Sequence, residues 1–198
     1  MTLIPVMPGE VAVVVTYLEL TRRPVPSPVS ASPLRLTRWN EPDLAKYRIL
    51  FRRVGTPWLW FSRLVMEETE LLAILHDPQV EIYPVLDPRG IEVGLLELDF
   101  RREERCEITF MALVPQLTGQ GLGGWLLGQA TMLGWRKDIK RMTVHTSSAD
   151  DPRALPLYRK NGFEPVRRAI ETFGDPRLLG ILDKGAAPHI PVIPARGV

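Results

Sequence analysis

Glycines at positions 119, 121, 123 and 124 are the residues of this 198-residue chain whose spacing most directly specifies a chemistry. The run Ile108 to Gly124, ITFMALVPQLTGQGLGG, carries a nonpolar strand into a proline-broken loop and sets the glycines where a helix begins. Without side chains there, the main chain can approach a ligand closely and turn its N–H groups toward it. The positive end of the following helix adds to the attraction. Such a backbone suits a pyrophosphate, so the implied ligand is a nucleotide-like cofactor. A Walker A loop is excluded, because its lysine and hydroxyl would follow the last glycine, where Trp125 and Leu126 stand. Gly119, Gly121 and Gly124 do satisfy the letters of the dinucleotide fingerprint G-x-G-x-x-G, and Asp150 and Asp151 lie where a ribose-binding acid belongs. Pro115 to Thr118 separate strand from glycines more than a dinucleotide turn does, and the chain after Gly124 is short for a doubly wound sheet. A dinucleotide-dependent oxidoreductase therefore stays open as an alternative.

Pro115, Thr118, Gly119, Gly121 and Gly123 also resemble the acetyl-CoA loop of the GCN5-related N-acetyltransferases (GNAT), written (Q/R)-x-x-G-x-(G/A). Thr118 stands where that family has Gln or Arg, which removes a side-chain donor to the pyrophosphate but leaves the main-chain cradle. A second motif follows in order: Ala154 to Phe163, ALPLYRKNGF, is similar to the family's A-x-x-L-Y-x-x-x-G-F. The resemblance spans Pro33 to Phe173 in outline, with its specific motifs between Glu107 and Phe163. It implies an α/β (α+β) GNAT fold, a mixed central sheet of about six to seven strands flanked by about four helices. On this reading, residues 1–33 form an N-terminal strand and proline-rich extension, 34–173 the acetyltransferase domain, and 174–198 a proline-containing tail.

Acetyl transfer from a thioester to an amine needs a base, a donor for the developing oxyanion and an acid for the leaving thiolate. Glu107-Ile108-Thr109-Phe110-Met111-Ala112 resembles the E-I-V-F-C-A strand of the histone acetyltransferase branch, whose glutamate acts as base through water, and that role passes to Glu107. The same resemblance assigns the oxyanion donor to the Met111 amide and pairs Leu113 with the pantetheine arm as an added strand would. It makes Tyr158 the acid, since a phenol with pKa near 10 stays protonated until it is needed. Cofactor contacts then fall on Thr118, Gly119, Gln120, Gly121, Leu122, Gly123 and Gly124, and on Asp151, where the family often has an asparagine. Trp58, Trp60 and Phe61 form the densest aromatic cluster and fall in the segment that borders the acceptor site in similar enzymes. A cationic or aromatic amine is the natural guest of such a cluster. The implied function is N-acetyl transfer from acetyl-CoA to a primary amine by direct attack in a ternary complex, with no metal and no covalent enzyme intermediate. A non-catalytic acyl-CoA-binding module is the alternative, motivated by the departures at Thr118 and Asp151.

These groups need elements to hold them. Strict alternation along the strand before the glycines puts Cys106, Ile108, Phe110, Ala112 and Val114 on one face and Glu107, Thr109, Met111 and Leu113 on the other. Strands are expected at Val11 to Leu20, Leu34 to Thr37, Val80 to Leu86, Ile91 to Phe100, Glu107 to Val114, Met142 to His145 and Phe163 to Phe173. Helices are expected from Glu41 after an Asn40 cap, over Glu67 to His76, Leu122 to Lys137 and Asp151 to Lys160. The first strand is extra to the family's common core and is expected to add to a sheet edge or to a partner subunit. Pro24 to Pro33 reads as a linker and Asp175 to Val198 as a loosely ordered tail.

With 45% hydrophobic residues the chain is long enough for one core and short for two. A net charge of +2 gives no general affinity for polyanions, and Arg136, Lys137, Lys140 and Arg141 read as a solvated helix end. No nucleic-acid or membrane partner is expected beyond the amine acceptor, and the chain is expected as a monomer or homodimer. Cys106 is the single cysteine, which excludes an internal disulfide and a multi-thiolate zinc site and favours the cytoplasm. His76, His145 and His189 lack metal-ligand spacing, so structural or solvent roles are expected for them.

Overall fold

The structure, a computed structural model, describes residues 1–24 and 31–195. Among the described residues, seven strands form one sheet in the order β2-β3-β4-β5-β6-β1-β7, and five α-helices cover it. The strands are β1 (Glu10–Leu20), β2 (Arg35–Leu36), β3 (Val80–Leu86), β4 (Glu92–Asp99), β5 (Arg105–Leu113), β6 (Arg141–Ser147) and β7 (Glu164–Gly174). The helices are α1 (Leu44–Gly55), α2 (Ser62–Val65), α3 (Glu68–Leu75), α4 (Leu122–Gly134) and α5 (Ala154–Lys160). All neighbours pair antiparallel except β5 and β6, which run parallel. A doubly wound dinucleotide sheet is parallel throughout its core, so this topology removes the oxidoreductase alternative.

Local signals account for most of the elements. Asp43, not Asn40, caps α1: its Oδ1 accepts the Lys46 amide at 2.8 Å. Tyr47, Leu50, Phe51 and Val54, at i, i+3, i+4 and i+7, form the buried stripe of that helix. They pack with Leu71, Ile82 and Leu95 on one side of the sheet. On the other side Leu126 and Ala130 of α4 pack with Cys106, Ile108 and Met142. Gly134 belongs to that contact, since a Cβ there would come within 2.9 Å of the Cys106 sulfur. A glycine inside this helix therefore has its cause in the strands beneath it.

The first strand departs from its expected place. β1 is internal, paired antiparallel with β6 on one side and with β7 on the other. Its odd residues Val11, Val13 and Val15 face one layer, and Leu18 and Leu20 the other, all at least nine-tenths buried. The buried face changes along the strand: Val11, Val13 and Val15 are buried while Ala12 and Val14 are exposed, and past the register shift at Tyr17 and Leu18 it is Leu18 and Leu20 that are buried. At about 1.5–3 kcal/mol for each fully buried aliphatic side chain, the five together match the whole stability of a typical domain.

The tail is packed over its described part. Arg177 and Asp175 form a buried pair at 2.7 Å, and Arg177 Nη1 also donates to the carbonyls of Ala186, Ala187 and Ile190. Those bonds tie the tail onto Val11, Val13 and Val15. The linker expected at Pro24 to Pro33 lies mostly outside the described residues.

The two faces of β5 also differ from strict alternation. Register with β4 shifts between Glu97, opposite Phe110, and Leu98, opposite Ile108, so Thr109 is an extra residue in the ladder. Past this bulge the faces exchange. Met111 and Leu113 join Cys106 and Ile108 beneath α4, whereas Phe110, Ala112 and Val114 turn toward α1.

Candidate active site

Parallel pairing of β5 with β6 lasts only from Arg105–Arg141 to Ile108–Val144, after which the strands diverge. β6 can leave β5 because its other edge stays bonded to β1 as far as Val15–Ser147. Into the opening runs a cleft of about 640 Å³. Which amides face it follows from the ladder: Val114 N–H donates to the Val93 carbonyl of β4 at 2.8 Å, and alternation turns Ala112 and Phe110 the same way. The amides of Met111 and Leu113 therefore point to the opposite edge, toward the gap.

After β5 a single tight turn, Pro115–Leu117, leads to the glycines. Gly119 and Gly121 have φ of +81° and +76°, a left-handed conformation that disfavours any residue with a Cβ. Among the described residues, the amides of Gly119, Gln120, Gly121, Leu122 and Gly123 have no main-chain acceptor. Five such donors at the head of a 13-residue helix form a ready anion cradle. Thr118 takes no outward part. Its hydroxyl donates to the Pro115 carbonyl at 2.6 Å, and its amide bonds the same oxygen at 3.1 Å.

Tyr158 enters the cleft from α5. It is 5% exposed and packs edge-on against Phe163 at 5.9 Å. Burial first, and then the negative charge of Asp150, push its phenol well above the ordinary value. Asp151 also lines the cleft but spends its carboxylate on Arg153, which donates from Nε at 2.8 Å and from Nη2 at 2.6 Å. Those bonds hold the Asp151 carboxyl below its usual range.

The opposite wall is aromatic. Trp58 and Trp60 line the cleft, whereas Phe61 packs against Phe173 at 5.3 Å and stays outside it. Trp60 is held by its Nε1–H to Asp150 Oδ1 at 2.9 Å and by the absence of a Cβ on Gly55, which would fall 2.5 Å from the Trp60 Cβ. Asp150 Oδ2 accepts from the Thr146 hydroxyl and the Ser147 amide, so one carboxylate joins β6 to the tryptophan. Trp58 meets His189 of the tail at 6.1 Å.

Glu107 is not brought into the cleft. It is paired with Arg105 and lines a separate polar hollow with Asp99 and Arg101. Between Glu107 and the cleft stands His145, 42% exposed at its side chain, whose Nδ1 lies 3.8 Å from Glu107 Oε1. The structure thus gathers Met111, Leu113, Tyr158, Asp151, Trp58, Trp60, Thr118, Gly119, Gly121, Gly123 and Gly124 around one space, and leaves Glu107, Phe61, Gln120 and Leu122 outside its lining. His145, Asp150 and Arg153 are the cleft residues that sequence reasoning passed over in these roles. His145 faces away from buried Val144, and its place beside Glu107 follows only from the parallel register of β5 and β6. Among the described residues, no group of three or more acidic, histidine or cysteine side chains is placed to hold a metal, and no helix is long and apolar enough to cross a membrane.

The model of the acetyltransferase (GNAT) family matches residues 50–163. Over 78 residues the chain is 32% identical to the GCN5-like protein acetyltransferase Rv2170 of Mycobacterium tuberculosis, a stretch that covers 39% of this chain and 37% of that protein. The fold is similar to a GCN5-related N-acetyltransferase from Sphaerobacter thermophilus, with a TM-score of 0.59 and 17% identity over 85% of this chain and 52% of the other. It is also similar to an aminoglycoside acetyltransferase, meta-AAC0020, from an uncultured soil metagenomic sample, with a TM-score of 0.52 and 22% identity over 65% and 87%. The chain spans about half the length of the Sphaerobacter protein, and its matched stretch about a third of the curated relative.

Proposed function

The chain belongs to the GNAT acetyltransferase family, and on that premise we propose that it is an N-acetyltransferase that moves an acetyl group from acetyl-CoA to a primary amine by direct attack in a ternary complex. One observation carries the reading: Gly119, Gly121 and Gly123, whose amides have no main-chain acceptor among the described residues, line the same cleft as Tyr158 and as Met111 and Leu113 of β5. In this reading the loop amides hold the diphosphate, and Leu113 pairs with the pantetheine arm. The Met111 amide donates to the thioester oxygen as negative charge develops on it.

His145 takes the proton released by the attacking amine, and Glu107 steadies the imidazolium that results. The sequence assigned the base to Glu107 itself; its position one residue removed from the cleft favours a supporting role, with His145 or a water on it in contact with the amine. As the carbon–sulfur bond breaks, the Tyr158 hydroxyl gives its proton to the thiolate. Its raised pKa keeps that proton in place throughout the neutral range. Cys106 has no part as a nucleophile: it is fully buried beneath α4, and burial pushes its thiol up to about 12. Trp58 and Trp60 suit a cationic or aromatic amine, drawn by ring faces and by Asp150.

Calorimetry with acetyl-CoA, followed by thiol release over a panel of amines, tests the proposal. Binding with turnover on at least one amine is expected. Binding without turnover across the panel would favour a non-catalytic acyl-CoA module, and the absence of any binding would overturn the reading.

A further inference from the structure

From Pro115 to Gly134, through the turn, the glycines and all of α4, the chain carries no charged residue. A diphosphate seated on the loop amides would therefore meet no cation from the segment that binds it. Thr118, which stands where similar enzymes carry a Gln or Arg donor, has its hydroxyl turned inward onto Pro115. Arg153 and Lys160 are the two Arg or Lys side chains among the described residues that line the cleft.

Arg153 is aimed at the loop. Its Nε and Nη2 form a two-pronged pair with the Asp151 carboxylate, and its own amide donates to Asp151 Oδ1 at 2.9 Å. One edge of the guanidinium is thereby consumed and its orientation fixed. The remaining nitrogen, Nη1, has no protein acceptor among the described residues and lies 3.1 Å from where a Cβ on Gly119 would stand. Its two N–H groups sit over the loop whose amides are unpaired.

We propose that Arg153, held by Asp151, supplies from the start of α5 the diphosphate-binding cation that the loop lacks at Thr118. The two departures from the family's pattern then have one explanation. Asp151 does not touch the cofactor as an asparagine would; it is a positioning residue for Arg153, and the Arg153 Nη1 donors replace the missing side chain at Thr118. This rests on the reading that the cleft takes the diphosphate of coenzyme A.

The test compares calorimetric affinities for CoA and dephospho-CoA, which share the diphosphate and differ in the 3′-phosphate. The wild-type chain is measured first, so a failure of the underlying reading appears there as no binding to either. In Arg153→Ala, affinity for both ligands is expected to fall by the same factor, about tenfold to a hundredfold for a lost charge-assisted contact, with the melting temperature of the free protein unchanged. Asp151→Ala is expected to produce a smaller loss in the same direction. Adding Thr118→Arg to Arg153→Ala is expected to restore most of the affinity, a rescue that a merely structural role for Arg153 would not give. The inference is overturned if Arg153→Ala binds both ligands as the wild type does, if it loses affinity for CoA alone, or if Thr118→Arg restores nothing.

Discussion

One wall of the cleft comes from a single uninterrupted run, Thr109 to Gly124, whereas the opposite wall is gathered from Trp58 and Trp60, from His145 and Asp150, and from His189 behind them. The first wall presents backbone: free strand amides and free loop amides, fixed by a bulge and by two left-handed glycines. The second presents side chains, each placed by a partner distant in sequence, such as Asp150 for Trp60 and Glu107 for His145. A wall made of backbone tolerates changes of side chain but not of φ. A wall made of side chains is tuned by every partner that holds them. This difference suits the proposed function, in which the first wall takes the cofactor and the second the acceptor.

Both walls depend on β1, because β6 can part from β5 only while β1 satisfies its other edge. Removing residues 1–20 is expected to have the largest effect, the loss of cooperative unfolding and of CoA binding together, read by circular dichroism and calorimetry. A folded, CoA-binding product would show that the cleft stands without that strand. Next in size, Tyr158→Phe is expected to lower kcat by about a hundredfold or more while CoA affinity stays within about twofold. Turnover near the wild-type level would remove the acid role.

Gly119→Val sharpens the contrast from the backbone side. The left-handed φ strains any β-branched side chain, and Arg153 Nη1 would have to shift from 3.1 Å to admit its Cβ, so CoA affinity should fall by about tenfold or more, with KM for the amine unaffected. Gly55→Ala is its counterpart on the other wall. By displacing Trp60 it should raise KM for the amine several-fold and leave CoA affinity unchanged, and equal effects on both substrates would erase the distinction between the walls.

The smallest effect concerns alkaline stability. Burial raises the Cys106 thiol from 9.0 to about 12, so between those values the unfolded chain releases a proton that the folded chain keeps. Stability contributed by this group is complete below pH of about 9 and is lost as pH rises toward about 12. Thermal melts of Cys106→Ala should show a shallower decline across that window, at a lower starting stability because a small cavity is left. An unchanged slope would mean the thiol is not titrating as a buried group.

What a sequence can carry depends on how far apart the interacting residues lie. The glycine loop, the Tyr158 helix and the seven strands are local matters of spacing, φ preference and apolar pattern, so residues within one segment determined them. The alternation along β5 failed at Thr109 because a bulge is a property of a pair of strands, and only β4 beside it fixes where the extra residue sits. The place of β1 was decided by a strand more than a hundred residues away. Glu107 was legible as an acid on a strand, yet its distance from the cleft and the insertion of His145 depend on the parallel register of β5 and β6. The sequence by itself determined which backbone can receive an anion, because that is set by residues next to one another. Tertiary packing decided which side chains meet across the gap, because burial and pairing between distant segments have no local signature.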